Sequence, residues 1–435
     1  MSLAAIVMLG LFFVWMVLGM PIGHAMLLAG IVYLLMTGQD LAIVASQSLN
    51  GMFSSFVLMS VPLFILSADI MNASKITDRL FEFANLMVGR LRGGLAHVNV
   101  VASVIFSGMS GSALADAAGP GKLEVDMMVK AGYTPGFAAA VSTTSAIVGP
   151  IIPPSIPMVL YGVVSNTSIG YLFMAGVIPG LLLSAAQMGV IAALARTRNF
   201  PIQPKPTRAH AIATVKTTLP ALFLPVILLG GIYSGAVTPT EAAAVAAAYA
   251  LILALLWYRS LPLRKLVDVF IDSARSTAIV AITIAGALVM NWVVASEQIP
   301  EALGAWMISL DMSPGMFLFA VNVLFLILGC FLDTLLMLLV IVPILMPAVT
   351  GLGIDPVHFG VTIIINMMIG LVTPPMGQLM FLISGVSGIP VGVIMREVWV
   401  FLVVLIALLF VLVYVPQLTL WLPELLGYQP LQLTP

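Results

Sequence analysis

Apolar windows of about twenty residues with almost no charge recur along the whole chain, and they narrow its possible folds more than any other feature. A helix rises 1.5 Å per residue, so a window of that length crosses the hydrocarbon core of a bilayer. The windows predict spans near 3–22, 25–38, 51–72, 167–195, 217–235, 239–258, 276–296 and 398–422. Broken ones fall near 93–121, 137–163, 314–350 and 357–386. Composition agrees: 61% of the 435 residues are hydrophobic and only 8% are charged, where soluble domains carry about 25% charge. Backbone groups in lipid must be satisfied internally, so the expected fold class is an all-α polytopic membrane protein. The first 22 residues have no basic leader and no small-residue cleavage pattern, and read as a retained span. A net charge of −1 offers no basic surface to nucleic acid, and the single Cys330 excludes an internal disulfide.

The basic residues set an orientation. Arg196, Arg198, Lys205, Arg208 and Lys216 share one loop, and Arg259, Arg264, Lys265 and Arg275 share another two spans away. Basic loops mark the cytoplasm, so both lie there. The acidic segment Glu297–Asp311 then falls outside, as does the N-terminus counted back from Lys75. Arg90 and Arg92 on one side of 93–121, and Lys122 and Lys130 on the other, are also cytoplasmic by this rule. Too few residues separate them for two full spans, so 93–121 is expected to enter and return as a re-entrant hairpin.

Two stretches break otherwise apolar helices. Gly149-Pro-Ile-Ile-Pro-Pro-Ser-Ile-Pro157 and Gly370-Leu-Val-Thr-Pro-Pro-Met-Gly-Gln378 carry Gly and Pro-Pro in the same register. Thr134-Pro135 and Asp355-Pro356 stand at matching positions upstream, and an acid in an apolar segment, Asp116 or Asp333, precedes each break. This predicts an internal duplication with inverted copies, and interrupted helices at matching positions of two halves point to a transporter site. Carbonyls at the end of each first half-helix suit a desolvated hard cation, with sodium favoured by neutral ligands. Amides at the start of each second half-helix, opening at Pro-Pro, suit an anion, and Thr373 is placed to cap the second of them. Ser107, Ser110, Ser112, Ser142, Thr143, Thr144, Ser145 and Asn366 add oxygens at membrane depth. Asp116 and Asp333 are functional candidates because an intramembrane acid is costly, whereas Asp69, at a span end, reads as structural.

Gly108-Met-Ser-Gly-Ser-Ala-Leu-Ala-Asp116, Pro153-Pro-Ser-Ile-Pro-Met-Val-Leu-Tyr-Gly162 and Thr373-Pro-Pro-Met-Gly-Gln-Leu-Met-Phe381 resemble the large membrane subunit of tripartite ATP-independent periplasmic (TRAP) transporters. The resemblance covers essentially the whole chain. It implies an elevator-type secondary transporter of the bacterial inner membrane, with two helical hairpins and two or more coupling sodium ions. Implied partners are a small four-helix membrane subunit on a separate chain, a periplasmic substrate-binding protein and the lipid bilayer. The implied substrate is a small organic acid such as a dicarboxylate, a 2-oxo acid or a sialic acid. One sodium site is expected at Ser107, Ser110, Gly149, Ile152 and Pro153, the other at Gly329, Gly370, Thr373 and Met376. Substrate is expected against Ser142, Ser145 and Pro154 in the first half, and against Asp333, Asn366 and Pro375 in the second. Some sialic acid members carry an arginine beside the substrate, and none stands near Ser296–Glu297 here.

The domain expectation is scaffold and arm helices over 1–92, a first transport half over 93–195 and further scaffold helices over 196–296. A second transport half follows over 297–392, then a C-terminal helix over 393–435. Three alternatives use the same residues: a proton-coupled carboxylate carrier, a channel, and an intramembrane aspartyl protease built on Asp69, Asp116 and Asp333. The protease would need two carboxyls close enough to share a proton, and no surrounding motif supports it. His24, His97, His210 and His358 lack metal-ligand spacing.

Overall fold

The computed structural model describes residues 2–430 apart from 75, 199, 203–205, 301 and 303–311. Lys75, Lys205 and most of the acidic segment 297–311, all used above to set orientation, therefore lie outside the described residues. The described chain is helical throughout. Seven of its helices are long and apolar enough to cross a membrane: Phe56–Ala73, Ile169–Thr197, Arg208–Tyr233, Pro239–Trp257, Leu263–Ser296, Thr334–Gly351 and Val391–Tyr414.

Several boundaries differ from the sequence expectation: the first helix ends at Val17, the one expected at 217–235 begins at Arg208, and two further shifts have clear physical reasons. The helix expected at 276–296 begins at Leu263. Arg264, Lys265, Asp268, Asp272 and Arg275 lower the hydropathy of its first turns, but Val269 and Ser273 still give them a buried face. The span expected at 398–422 runs instead over Val391–Tyr414. Pro416 stops it, since proline disfavours helical backbone at the preceding residue, and hydropathy cannot register that. A short helix, Gln417–Leu425, follows.

In one group of helices, Leu263–Ser296 packs on Ile22–Thr37, Ala42–Ser54 and Ser60–Ala73, and Ser60–Ala73 packs on the alanine-rich Pro239–Ile252. Small residues allow these approaches. A Cβ on Gly23 would lie 2.8 Å from the Ile282 carbonyl carbon, and one on Gly286 would lie 2.7 Å from the Gly23 oxygen. Asp69 accepts a 2.6 Å hydrogen bond from Ser273, a structural use of that acid. Glu297, at the end of the long helix, accepts from Ser2 and from the Tyr33 hydroxyl, which ties down the first two helices.

Two further runs of elements carry the two breaks. First come Gly94–Ser110, then Ala113–Ala118 with Gly121–Lys130, Pro135–Ser145, Ile156–Ser165 and Ile169–Thr197. The second series is Pro314–Gly329, Thr334–Gly351, Pro356–Gly370, Gln378–Ser387 and Val391–Tyr414. Pro135 and Pro356 each open a helix at its first turn, after the N-cap residues Thr134 and Asp355, where a missing amide is harmless.

Candidate functional site: two interrupted helices

The first interruption is a turn over 149–154. Helix Pro135–Ser145 tightens at 146–148, and the chain resumes as helix at Ile156. Ser155 starts that second piece: its hydroxyl accepts from the Met158 amide at 3.2 Å and donates to the Pro150 carbonyl. The tip of the preceding hairpin docks here. Gly111, at φ +61°, reverses the chain after Ser110, and its carbonyl accepts from the Ile156 amide at 3.4 Å. A Cβ on Gly111 would stand 2.5 Å from the Pro154 oxygen, so only glycine suits this position.

The second interruption spans 371–377, between Pro356–Gly370 and Gln378–Ser387. Gly370 meets Gly329 backbone to backbone: a Cβ on Gly370 would lie 2.9 Å from the Gly329 Cα. Both Pro-Pro bonds, 153–154 and 374–375, are cis. Two expectations need correction. The second half-helices open at Ile156 and Gln378 rather than at Pro-Pro. Thr373 does not cap the second of them: its hydroxyl donates back to the Ile369 carbonyl at 2.7 Å, and Gly377 holds the cap position without a side-chain bond. Thr373 follows the preceding helix closely enough for that carbonyl to lie within its reach, four residues back.

Of the residues expected to hold cations, Gly149, Ile152, Pro153, Gly370, Thr373 and Met376 lie in or beside the two breaks, and Gly329 meets Gly370. In the first half Ser107, Ser110, Gly149, Ile152 and Pro153 are all buried. The Ser110 hydroxyl has no hydrogen-bond partner, whereas Ser107 donates to the Val104 carbonyl at 2.6 Å. Among the described residues no donor meets the Gly149, Ile152 or Pro153 carbonyls. In the second half the same holds for the carbonyls of Gly329 and Met376, and the Gly370 carbonyl accepts only the Thr373 amide. Unpaired neutral oxygens of this kind fit a desolvated monovalent hard cation. The two breaks differ in exposure, since Pro375 and Met376 face outward while Ile152–Ser155 are buried.

Residues expected to bind substrate divide differently. Asp333 caps the short turn Thr334–Leu336, accepting from the Leu335 amide at 2.8 Å, and Gln378 of the second half-helix lies beside it. Pro154 sits in the first break and Pro375 in the second. Ser142, Ser145 and Asn366 lie one to two turns before the breaks and are turned to other partners. Asn99 donates to Ser142 and accepts from Ser145, the latter at 2.6 Å. Asn366 donates to the side-chain and backbone oxygens of Asn322, both at 2.8 Å. Asn99 and Asn322 were not singled out in the sequence. The available signal was an amide in each apolar hairpin helix, which in lipid needs a partner.

Two helices interrupted at backbone level within an apolar bundle are the arrangement expected of a polytopic membrane transporter. Among the described residues no group of three or more His, Cys, Asp or Glu could hold a metal ion. The chain matches the family described as "Tripartite ATP-independent periplasmic transporter, DctM component" over residues 9–418, and it belongs to that family. It is 44% identical to the sialic acid TRAP transporter large permease protein SiaM of Vibrio cholerae, over 97% of this chain and all of that one. With the C4-dicarboxylate TRAP transporter large permease protein DctM of Pseudomonas aeruginosa it shares 41% identity, over 86% and 87% of the two chains. The solved YdaH transporter of Alcanivorax borkumensis has the same fold, with a TM-score of 0.63 over 89% of this chain and 90% of that one at 13% identity. The protein is thus a TRAP large membrane subunit, a multi-pass transporter component of the bacterial inner membrane rather than an enzyme.

Proposed function

We propose that this subunit carries a small carboxylate inward together with sodium, after a periplasmic binding protein delivers it, and that it works as a complex with a small membrane subunit. The observation that carries this reading is the chemistry of the two breaks. They offer unpaired carbonyls and the unpaired Ser110 hydroxyl, and no Lys or Arg occurs in 131–195 or 276–395. A carboxylate at Pro154, Pro375 and Asp333 would meet no fixed positive side chain from these segments. Bound sodium at Ser110, Gly149, Ile152 and Pro153, and at Gly329, Gly370, Thr373 and Met376, would supply the missing charge, with Ser107 one turn behind the first set. Coupling follows from electrostatics: without sodium the anion binds poorly. Each sodium moved inward contributes about 2.3 kcal/mol per 100 mV of membrane potential. Ser142, Ser145 and Asn366 act in this scheme by fixing the broken helices to the hairpins.

The transport movement in this reading is an elevator. The two repeated series form the moving part and are inverted relative to each other. The group built on Leu263–Ser296 and Ser60–Ala73 forms the scaffold. Names among the relatives span sialic acid, C4-dicarboxylates and 2,3-diketo-L-gulonate, so the cargo proposed here is the class they share, a small carboxylate. The test is uptake in proteoliposomes containing this chain and its small subunit, with a binding protein loaded from a panel of such acids. Sodium is replaced by potassium in a matched set. Uptake that needs both sodium and the binding protein supports the proposal, and uptake that persists without sodium refutes it.

A further inference from the structure

The return arm of the first hairpin holds two acids that neither break uses. Asp116 and Glu124 are each 2% exposed, and they border one small cavity with Thr77, Leu80, Phe81, Ala102, Phe106, Pro120 and Leu123. Asp116 Oδ2 and Glu124 Oε1 are buried without a hydrogen-bond partner. So is the hydroxyl of Ser103, a 1% exposed side chain beside Asp116. Glu124 also lies beside Asn99 and Ser142, the pair that joins the hairpin to the first broken helix.

Among the described residues no positive charge faces this site. On the arm itself Lys122 and Lys130 are exposed and Asp126 is half-buried. From Ile76–Val88, Asp78 and Glu82 point to the surface and Arg79 stacks on the Tyr258 ring at 4.4 Å. From Gly94–Ser110 the single titratable group is His97, near the Arg92 backbone. The helices Pro135–Ser145 and Gln378–Ser387 contribute none. Two neighbouring carboxylates removed from water, with no counter-charge among the described residues, cannot both stay ionised. Ser103 offers a donor or acceptor for whichever oxygen carries a proton.

We propose that Asp116 and Glu124 form a proton-binding site, holding one proton between the two carboxyl groups, which keeps the first hairpin seated on the broken helix. The site is separate from the sodium sites and does not depend on sodium coupling. Loss of the proton would leave two buried negative charges against Asn99 and Ser142, and would loosen the hairpin just where it sets the first break.

Infrared difference spectroscopy on the purified complex of this chain with its small subunit tests the proposal directly. The wild-type complex should show a protonated-carboxyl band at neutral pH that titrates away under alkaline conditions and does not respond to sodium at fixed pH. In Glu124→Gln the remaining Asp116 loses its charged neighbour, so the band should titrate at a proton concentration at least tenfold higher. Asp116→Asn should do the same for Glu124. The wild-type titration needs no variant and stands even if a variant fails to fold. Absence of the band in wild type overturns the proposal, as does an unchanged midpoint in both folded variants. A band removed by sodium at constant pH also overturns it, by identifying the ligand as a metal cation.

Discussion

Replacing Gly370 by alanine tests whether the contact between the two hairpin-to-break backbones builds a sodium site. The added Cβ would lie 2.9 Å from the Gly329 Cα and 3.1 Å from its carbonyl carbon and oxygen. Ordinary contact begins at 3.4 Å, so the two backbones must part by about half an ångström. Neither side is a flexible chain end that could swing away. Overpacking of this kind costs about 1–3 kcal/mol. If sodium binding requires the carbonyls of Gly329 and Gly370 together, that cost falls on the sodium-bound arrangement and raises the half-saturating sodium concentration about 5- to 150-fold. The assay is initial uptake against sodium concentration in proteoliposomes, with Gly385→Ala as control. Gly385 has nothing within 4 Å of its would-be Cβ and sits inside a helix, where alanine is favoured by about 1 kcal/mol. The control should keep its sodium dependence and melt at the same or a slightly higher temperature. A folded Gly370→Ala protein with wild-type sodium dependence would show that this contact is packing alone.

Three further outcomes follow from the same geometry. Asn322→Ala should lower the thermal stability of the detergent-solubilised complex by about 1–3 kcal/mol, because it strands the buried Asn366 amide, and Asn99→Ala should do likewise through Ser142 and Ser145. Asp333→Asn keeps a side chain able to cap the Leu335 amide but removes the charge. Its melting temperature should therefore hold while its half-saturating sodium concentration rises, and an Asn variant with normal uptake would leave Asp333 a cap only. Hydrogen bonds from Ser2 hold the Glu297 carboxyl below the usual carboxylate range. This contribution is complete above the unfolded value, about 4.3 for glutamate, and is lost as pH falls through the lower folded value. Hydrogen exchange in Leu3–Val17, corrected for intrinsic rates, should therefore speed up under acid conditions in the wild type, whereas Glu297→Gln, which cannot titrate, should exchange faster across the pH range and lack that acid step.

Much of the architecture could be read from the sequence because lipid imposes a simple rule: long apolar windows become helices, and Gly with Pro-Pro interrupts them. Both interruptions fall where Gly149 and Gly370 put them; the chain reverses at Gly111, but the return arm runs on through Gly121–Lys130 instead of ending at 121 as expected. Partnership was harder to read. Hydropathy counts Asn99 and Asn322 as penalties in apolar helices and says nothing of Ser145 or Asn366, more than forty residues further along. The same blindness concealed Glu124, which the sequence shows as one acid among charged neighbours and the fold buries beside Asp116. Thr373 lay in a position that permitted either a forward cap or a bond back to Ile369, and only the path of the backbone decides between them.

These partnerships matter more here than they would in water. Apolar burial gives two helices little reason to prefer each other over lipid tails, so close backbone contact and interhelical hydrogen bonds must set their register. In each half an asparagine of the hairpin bonds the residue four positions before the break glycine: Asn99 to Ser145, ahead of Gly149, and Asn322 to Asn366, ahead of Gly370. Such bonds in membranes contribute only about 0.6–2 kcal/mol each, too little to hold the domain together alone. Their leverage is geometric, since the bonded residue lies about one helical turn from the carbonyls in question. A lost bond can therefore leave the helices intact and still let the break drift against its hairpin. That is why Asn99→Ala and Asn322→Ala are expected to disturb sodium dependence through position, with neither asparagine touching the ion.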